Sequence, residues 1–197
     1  MMKKRILVSL AALIFFAVLT LFAPTAGASP TVTVTTETYD IYGATAQELR
    51  DQMVLFGVTW KDGKKYDALT TWITRWHYTW ESGIHHCEIS GVETSVEVLF
   101  RLPKWVNKAE SPPALRHRWE RYMKALQMHE NGHKDIGIAA AADIEAAIAR
   151  MPAERTCEAL ELAANALGES ILETYRALET DYDRHTGHGQ TQGAVFP

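Results

Sequence analysis

Residues 127–135 read Gln-Met-His-Glu-Asn-Gly-His-Lys-Asp, and the run His129-Glu130-Asn131-Gly132-His133 inside them constrains the chain more than any other stretch. On a helix, His129 and His133 stand one turn apart on one face, so both imidazoles can reach a single zinc ion. Glu130 then lies one residue along, where a general base for hydrolysis is needed. Residues 115–150 support the helix. They are rich in Ala, Leu, Met, Glu, Lys and Arg, and Trp119, Met123, Leu126, Ile136, Ala140, Ile144 and Ile148 recur close to a 3.6-residue period. Ser111-Pro112-Pro113 supplies the start signal, a capping serine followed by prolines suited to a first turn. Gly132 and Gly137 run against this pattern, each weakening a helix interior by roughly 1 kcal/mol relative to Ala. Their presence predicts that something approaches the backbone closely at those points. A solvated helix face with two incidental histidines is the plain alternative to a metal site.

The N-terminus has a different character. Met1-Met2-Lys3-Lys4-Arg5 precedes an apolar run from Ile6 to Ala23 and then Ala26-Gly27-Ala28, the arrangement of a secretory signal peptide cleaved after Ala28. An uncleaved anchor is the rival, but the small-x-small site favours cleavage and no cysteine follows to carry a lipid. The expected mature domain is therefore 29–197, secreted or periplasmic, with no membrane attachment after cleavage. Losing Lys3, Lys4 and Arg5 leaves 17 Lys+Arg against 24 Asp+Glu, which moves the formal charge from −4 to −7. So acidic a chain lacks the basic stripe that nucleic acid requires. Its length suits one domain with a proper core. The only two cysteines, Cys87 and Cys157, are expected to form a disulfide in an oxidising compartment.

The order of elements predicts an α+β fold: a small antiparallel sheet packed on a helical hairpin that carries the zinc motif. Residues 31–42 alternate and are rich in β-branched and aromatic types, which reads as a strand. Thr45 with Glu48 forms a capping box that opens a short helix ending at Gly57. Two long strands follow, 68–81 and 87–102. Trp72, Trp76 and Trp80 lie on one face of the first, a row that more often buries a helix than stacks on sugars. His77, His85 and His86 receive no role. After Met151-Pro152 breaks the chain, a last helix runs from about Glu154 to Leu178 and forms an antiparallel hairpin with the motif helix. Composition alone makes everything from Asp181 onward a frayed tail.

That tail carries the most specific likeness. Tyr182-Asp183-Arg184-His185-Thr186-Gly187-His188-Gly189, together with His129-Glu130-x-Gly132-His133, resembles the pattern of a bacterial family of predicted secreted zinc-dependent proteases, filed as a domain of unknown function. The strand pair with its tryptophans, Leu102-Pro103-Lys104-Trp105 and the single cysteine on either side of the motif helix are similar as well, so the likeness spans 31–197. It implies zinc-dependent hydrolysis of peptide bonds, with a peptide or protein substrate. A hydrolytic zinc needs three protein ligands and one open position. His129 and His133 supply two. His188 is the expected third, because a family-like histidine in a polar tail needs something to pin it; Asp183, Glu169 and Glu173 are the alternatives. Glu130 is the expected general base, and Tyr182 or His185 the expected partner of the developing oxyanion. Asp135 could orient a ligand or simply be exposed. A zinc amidase acting on cell-wall peptides is a second reading of the same motif. A non-catalytic secreted zinc-binding module is a third.

Overall fold

The computed structural model describes residues 29–196; the expected signal peptide lies outside the described residues. Strand β1 (Thr31–Ile41) leads through helix α1 (Ala46–Phe56) to a two-stranded hairpin, β2 (Val58–Thr59) and β3 (Lys65–Tyr66). Two long strands follow, β4 (Leu69–Gly83) and β5 (His86–Trp105). They lead to two long helices, α2 (Pro113–Ile148) and α3 (Cys157–Thr186). The capping box forms as its residues dictate: Thr45 Oγ1 accepts from Glu48 N at 3.2 Å, and Glu48 Oε2 accepts from Ala44 N at 2.6 Å.

The main sheet has the order β1-β5-β4 and is mixed rather than antiparallel. β4 and β5 form the expected antiparallel ribbon, but β1 runs parallel to β5, with Thr31 beside Ser95 and Ile41 beside Trp105. The correction has a simple cause. Strand pattern reports which residues face the core, whereas direction is set by the crossover through α1 and the small hairpin. β4 is left as an open edge. Helix α2 crosses one face of the sheet and buries Val96, Val98, Phe100 and Leu102 of β5 beneath Trp119, Tyr122 and Leu126. The opposite face carries the ion pairs Arg75–Glu97 and Arg101–Glu37.

Helix α3 runs back along α2 and is two turns longer than its composition predicts. It ends at Gly187, which adopts the left-handed conformation and caps the helix by donating to Asp183 O. Leucine spacing stops near Leu178, but Thr186, buried in the helix end, continues the packing. Past it the chain turns through left-handed His188 and Gly189 (φ 53° and 82°) and lays Phe196 edge-on against Trp119, ring centroids 5.3 Å apart. The tail is thus folded back into the core. The expected disulfide is present: Cys87 at the start of β5 is bonded to Cys157 at the start of α3, Cα atoms 5.2 Å apart. No described helix is long and apolar enough to cross a membrane.

Candidate metal centre

The two motif histidines lie on the buried face of α2, as the i, i+4 spacing requires. Their Nε2 atoms converge on one point, the Oδ1 atom of Asp183, each at 3.1 Å. Asp183 comes from the added turns of α3, so the site joins both helices of the hairpin. Among the described residues, His129, His133 and Asp183 are the group whose ligand atoms lie within 4.8 Å of one another. His188 reaches the same carboxylate oxygen from the outside, Nδ1 at 3.3 Å, with its ring half exposed and set against Tyr66 at 5.1 Å. Of the expected ligand set, two members stand in the cluster and His188 stands at its rim. Asp183 holds the place next to them. Glu169 and Glu173 are exposed elsewhere on α3.

The far nitrogens are held too. His129 Nδ1 meets Gln192 Oε1 at 3.0 Å, and His133 Nδ1 meets Glu179 Oε1 at 3.2 Å. Glu179 is itself fixed by Trp72, whose indole Nε1 donates to the same oxygen at 2.6 Å. An acceptor on Nδ1 keeps a proton on that nitrogen and turns Nε2 toward Asp183, so Nε2 is the nitrogen a metal would take in exchange for any proton there. The cluster passes a distance test as well. Nitrogen and oxygen ligands about 2 Å from a tetrahedral zinc stand about 3.3 Å from one another. The two Nε2–Oδ1 separations of 3.1 Å fit that edge.

Electrostatics fit the same reading. Burial disfavours the charge on His133, but hydrogen bonds to Asp183 and Glu179 overcome it and raise the imidazole to about 10. Burial likewise works against Asp183, yet its bonds to His129 and His133 hold it well below the usual carboxylate range. The cluster therefore gathers negative charge around two nitrogens, as a divalent cation requires. Glu130 is buried beside it, and desolvation raises its carboxyl against the opposing bond from Thr70. Thr70 Oγ1 donates to Glu130 Oε2 at 2.6 Å, which anchors the carboxylate to the first residues of edge strand β4. Thr70 is invisible to sequence reasoning because the pairing spans 60 residues.

Tyr182 is placed differently from its expected role. Its ring stacks on His129 at 5.0 Å and 10°, and its hydroxyl donates to the His129 carbonyl at 3.2 Å. Gln192 Nε2 donates to that hydroxyl at 3.1 Å. Tyr182 does not line the cleft. It is a prop behind the histidine pair, and Gly132 is the reason it fits: a Cβ there would lie 2.2 Å from the Tyr182 hydroxyl. At Gly137 a Cβ would come within 2.6 Å of the Trp72 ring. The two helix-weakening glycines are the points where the rings supporting the site press against α2. His185 is exposed, with Nδ1 against Asp181 O, and Asp135 faces solvent beside Lys134.

The cluster forms the floor of a cleft of about 870 Å³. Its walls are β4 from Leu69 to Thr74, the α3 segment bearing Arg176, Glu179 and Asp183, the β2–β3 hairpin, and tail residues Ala194 and Val195. Among family models, one described as a bacterial protein of unknown function (DUF922) matches residues 36–189. The chain belongs to that family. The matched span holds both motif histidines, Glu130, Thr70, Glu179 and Asp183, and stops three residues before Gln192. No curated protein and no solved structure matches the chain.

Proposed function

We infer that this DUF922 domain is a zinc-dependent peptidase acting outside the cytoplasm. The observation that carries the reading is the convergence of the His129 and His133 Nε2 atoms on Asp183 Oδ1, beside a buried glutamate and on the floor of an open cleft. His129, His133 and Asp183 would hold the metal. Bound there, zinc would supply Lewis acidity and bring the pKa of a coordinated water to near 7.

The chain's own residues account for the rest. Glu130, held by Thr70 and raised by burial, is positioned to accept a proton from water and deliver it to a departing amine. Gln192 and Glu179 accept at Nδ1 and so would favour the Nδ1–H, Nε2-ligating form of the two imidazoles once a metal is bound. The disulfide fits an oxidising compartment.

A second reading rests on one distance. His188 Nδ1 is 3.3 Å from Asp183 Oδ1 but outside the group of mutually close ligand atoms, so an inward shift of its ring would complete a closed four-ligand site, which would be structural. One experiment separates the two. The purified 29–197 protein is assayed for bound metal and for chelator-sensitive cleavage of casein and of amide-linked cell-wall peptides. One zinc per chain and hydrolysis lost in Glu130→Gln with zinc retained support the peptidase. Stoichiometric zinc with no hydrolysis supports the closed site, and absence of tight metal binding overturns both.

A further inference from the structure

The cleft's lining is not uniform in charge. Asp183, Glu179 and Glu130 surround the histidines, whereas the neighbouring end, built by α1 and the β2–β3 hairpin, presents Arg50, Lys61 and Lys65 with the Trp60 ring. The acids at that end are already matched. Asp67 faces Arg50 at 2.5 Å and also accepts from Tyr122 at 2.6 Å. Asp62 accepts from Lys64 N at 2.9 Å and from the Tyr66 hydroxyl at 2.8 Å, and Lys64 Nζ lies 4.0 Å from it. Lys61 has no acidic partner among the described residues; its ammonium lies 5.2 Å from the centre of the Trp60 ring. Among the described residues, Lys65 Nζ meets only the Leu55 carbonyl, near the end of α1. The Arg50 Nε is buried and unpaired among the described residues. Two unmatched positive charges thus stand at one mouth of the cleft on a chain that carries −7 beyond residue 28. The hairpin is joined to the metal cluster by the contact between Tyr66 and His188.

We propose that this end of the cleft is an anionic subsite, in which Lys61 and Lys65, backed by Arg50 and Trp60, receive a carboxylate of the bound peptide. The inference rests on the reading that the cleft takes a peptide. A local positive field inside an otherwise negative surface concentrates and orients a ligand of matching charge. The Trp60 face gives the flanking residue an apolar surface. Carboxylate is the common chemistry, and an acidic side chain and a free C-terminus are its two sources.

The test uses metal-loaded Glu130→Gln protein and three dye-labelled peptides of one sequence, with binding read by fluorescence anisotropy. One peptide has an internal Glu and an amidated end. The second has Gln and a free end, and the third has Gln and an amidated end. The expected result is about two- to fivefold tighter binding of the first or second over the third. Which of the two gains identifies the carboxylate's source. The preference should weaken with salt and disappear in Lys61→Gln/Lys65→Gln. Lys65 also contacts α1, so Lys61→Glu, which breaks no hydrogen bond or ion pair among the described residues, is run beside it and should reduce the preference too. Equal binding of all three peptides, a preference that survives both variants, or no binding of any peptide overturns the subsite. Because the readout needs no turnover, casein cleavage by the unsubstituted protein judges the peptidase reading independently.

Discussion

Asp183 Oδ1 is the single atom on which three imidazoles meet, so the ligand assignment can be decided one side chain at a time. Asp183→Ala should abolish tight zinc binding, as His129→Ala would, because either removes a member of the tight cluster. His188→Ala separates the open site from the closed one. At the rim it should weaken zinc roughly 10- to 100-fold, as loss of an outer contact does, and leave hydrolysis detectable. Zinc stoichiometry of the three variants, measured after dialysis, decides the matter; complete loss in His188→Ala would make it a full ligand. Gly132 gives a second residue-level expectation. Gly132→Ala drives a methyl group into the Tyr182 ring and should cost about 1–3 kcal/mol, read by urea denaturation. If that contact is the cause, the cost should shrink when measured in a Tyr182→Ala background. The motif histidines, their shared face and the close approach at Gly132 and Gly137 were all legible from spacing and propensity. The hydrogen-bond partners were not: Thr70, Glu179 and Gln192 lie 46 to 63 residues from the side chains they hold.

At the level of elements, local pattern located every long helix and strand but misjudged one length and one direction. α3 reaches Thr186 because the site needs Asp183 on the same face as Glu179, one turn earlier, and that demand is tertiary rather than compositional. Leucine periodicity cannot register a face that is kept by hydrogen bonds to histidine. The parallel run of β1 escaped for a related reason, since its partner β5 begins 45 residues after β1 ends. The disulfide was legible, because only two cysteines behind an expected signal peptide leave one economical pairing. It joins β5 to α3 across 70 residues and holds the far end of the hairpin, away from the metal cluster. Replacing both cysteines with serine should lower unfolding stability by about 4 kcal/mol in the chain-entropy account. Guanidinium titration of the oxidised protein and the double variant measures it. Zinc binding should survive in the folded variant, because none of His129, His133 and Asp183 lies on that end.

Taken as a whole, the molecule has two fastenings at opposite ends of the α2–α3 hairpin, one covalent and one, on the reading above, metallic. The sheet and the α2 crossing share the large apolar cluster of Val96, Val98, Phe100, Trp119, Tyr122 and Leu126, which does not depend on the metal. The last turns of α3 and the tail are in a different position. Asp183 and Glu179 are half-buried carboxylates gathered at one point, and little besides Phe196 and Ala194 gives the segment apolar contact with the core. Without a cation, those carboxylates are balanced chiefly by a proton on His133. Chelation should therefore loosen residues 179–196 selectively. Zinc at about 100 times its dissociation constant adds about 2.7 kcal/mol to the folded state, enough to separate that segment's opening from the rest. Hydrogen exchange followed by mass spectrometry, with zinc and after chelation, should show faster exchange in peptides from 179–196 and little change in β4, β5 or the first half of α2. Restoring zinc should reverse it. Uniform acceleration across the chain would mean that the metal holds the whole fold. No change anywhere would mean that Asp183 and the tail are pinned by packing alone, and that the cluster has no structural need of an ion.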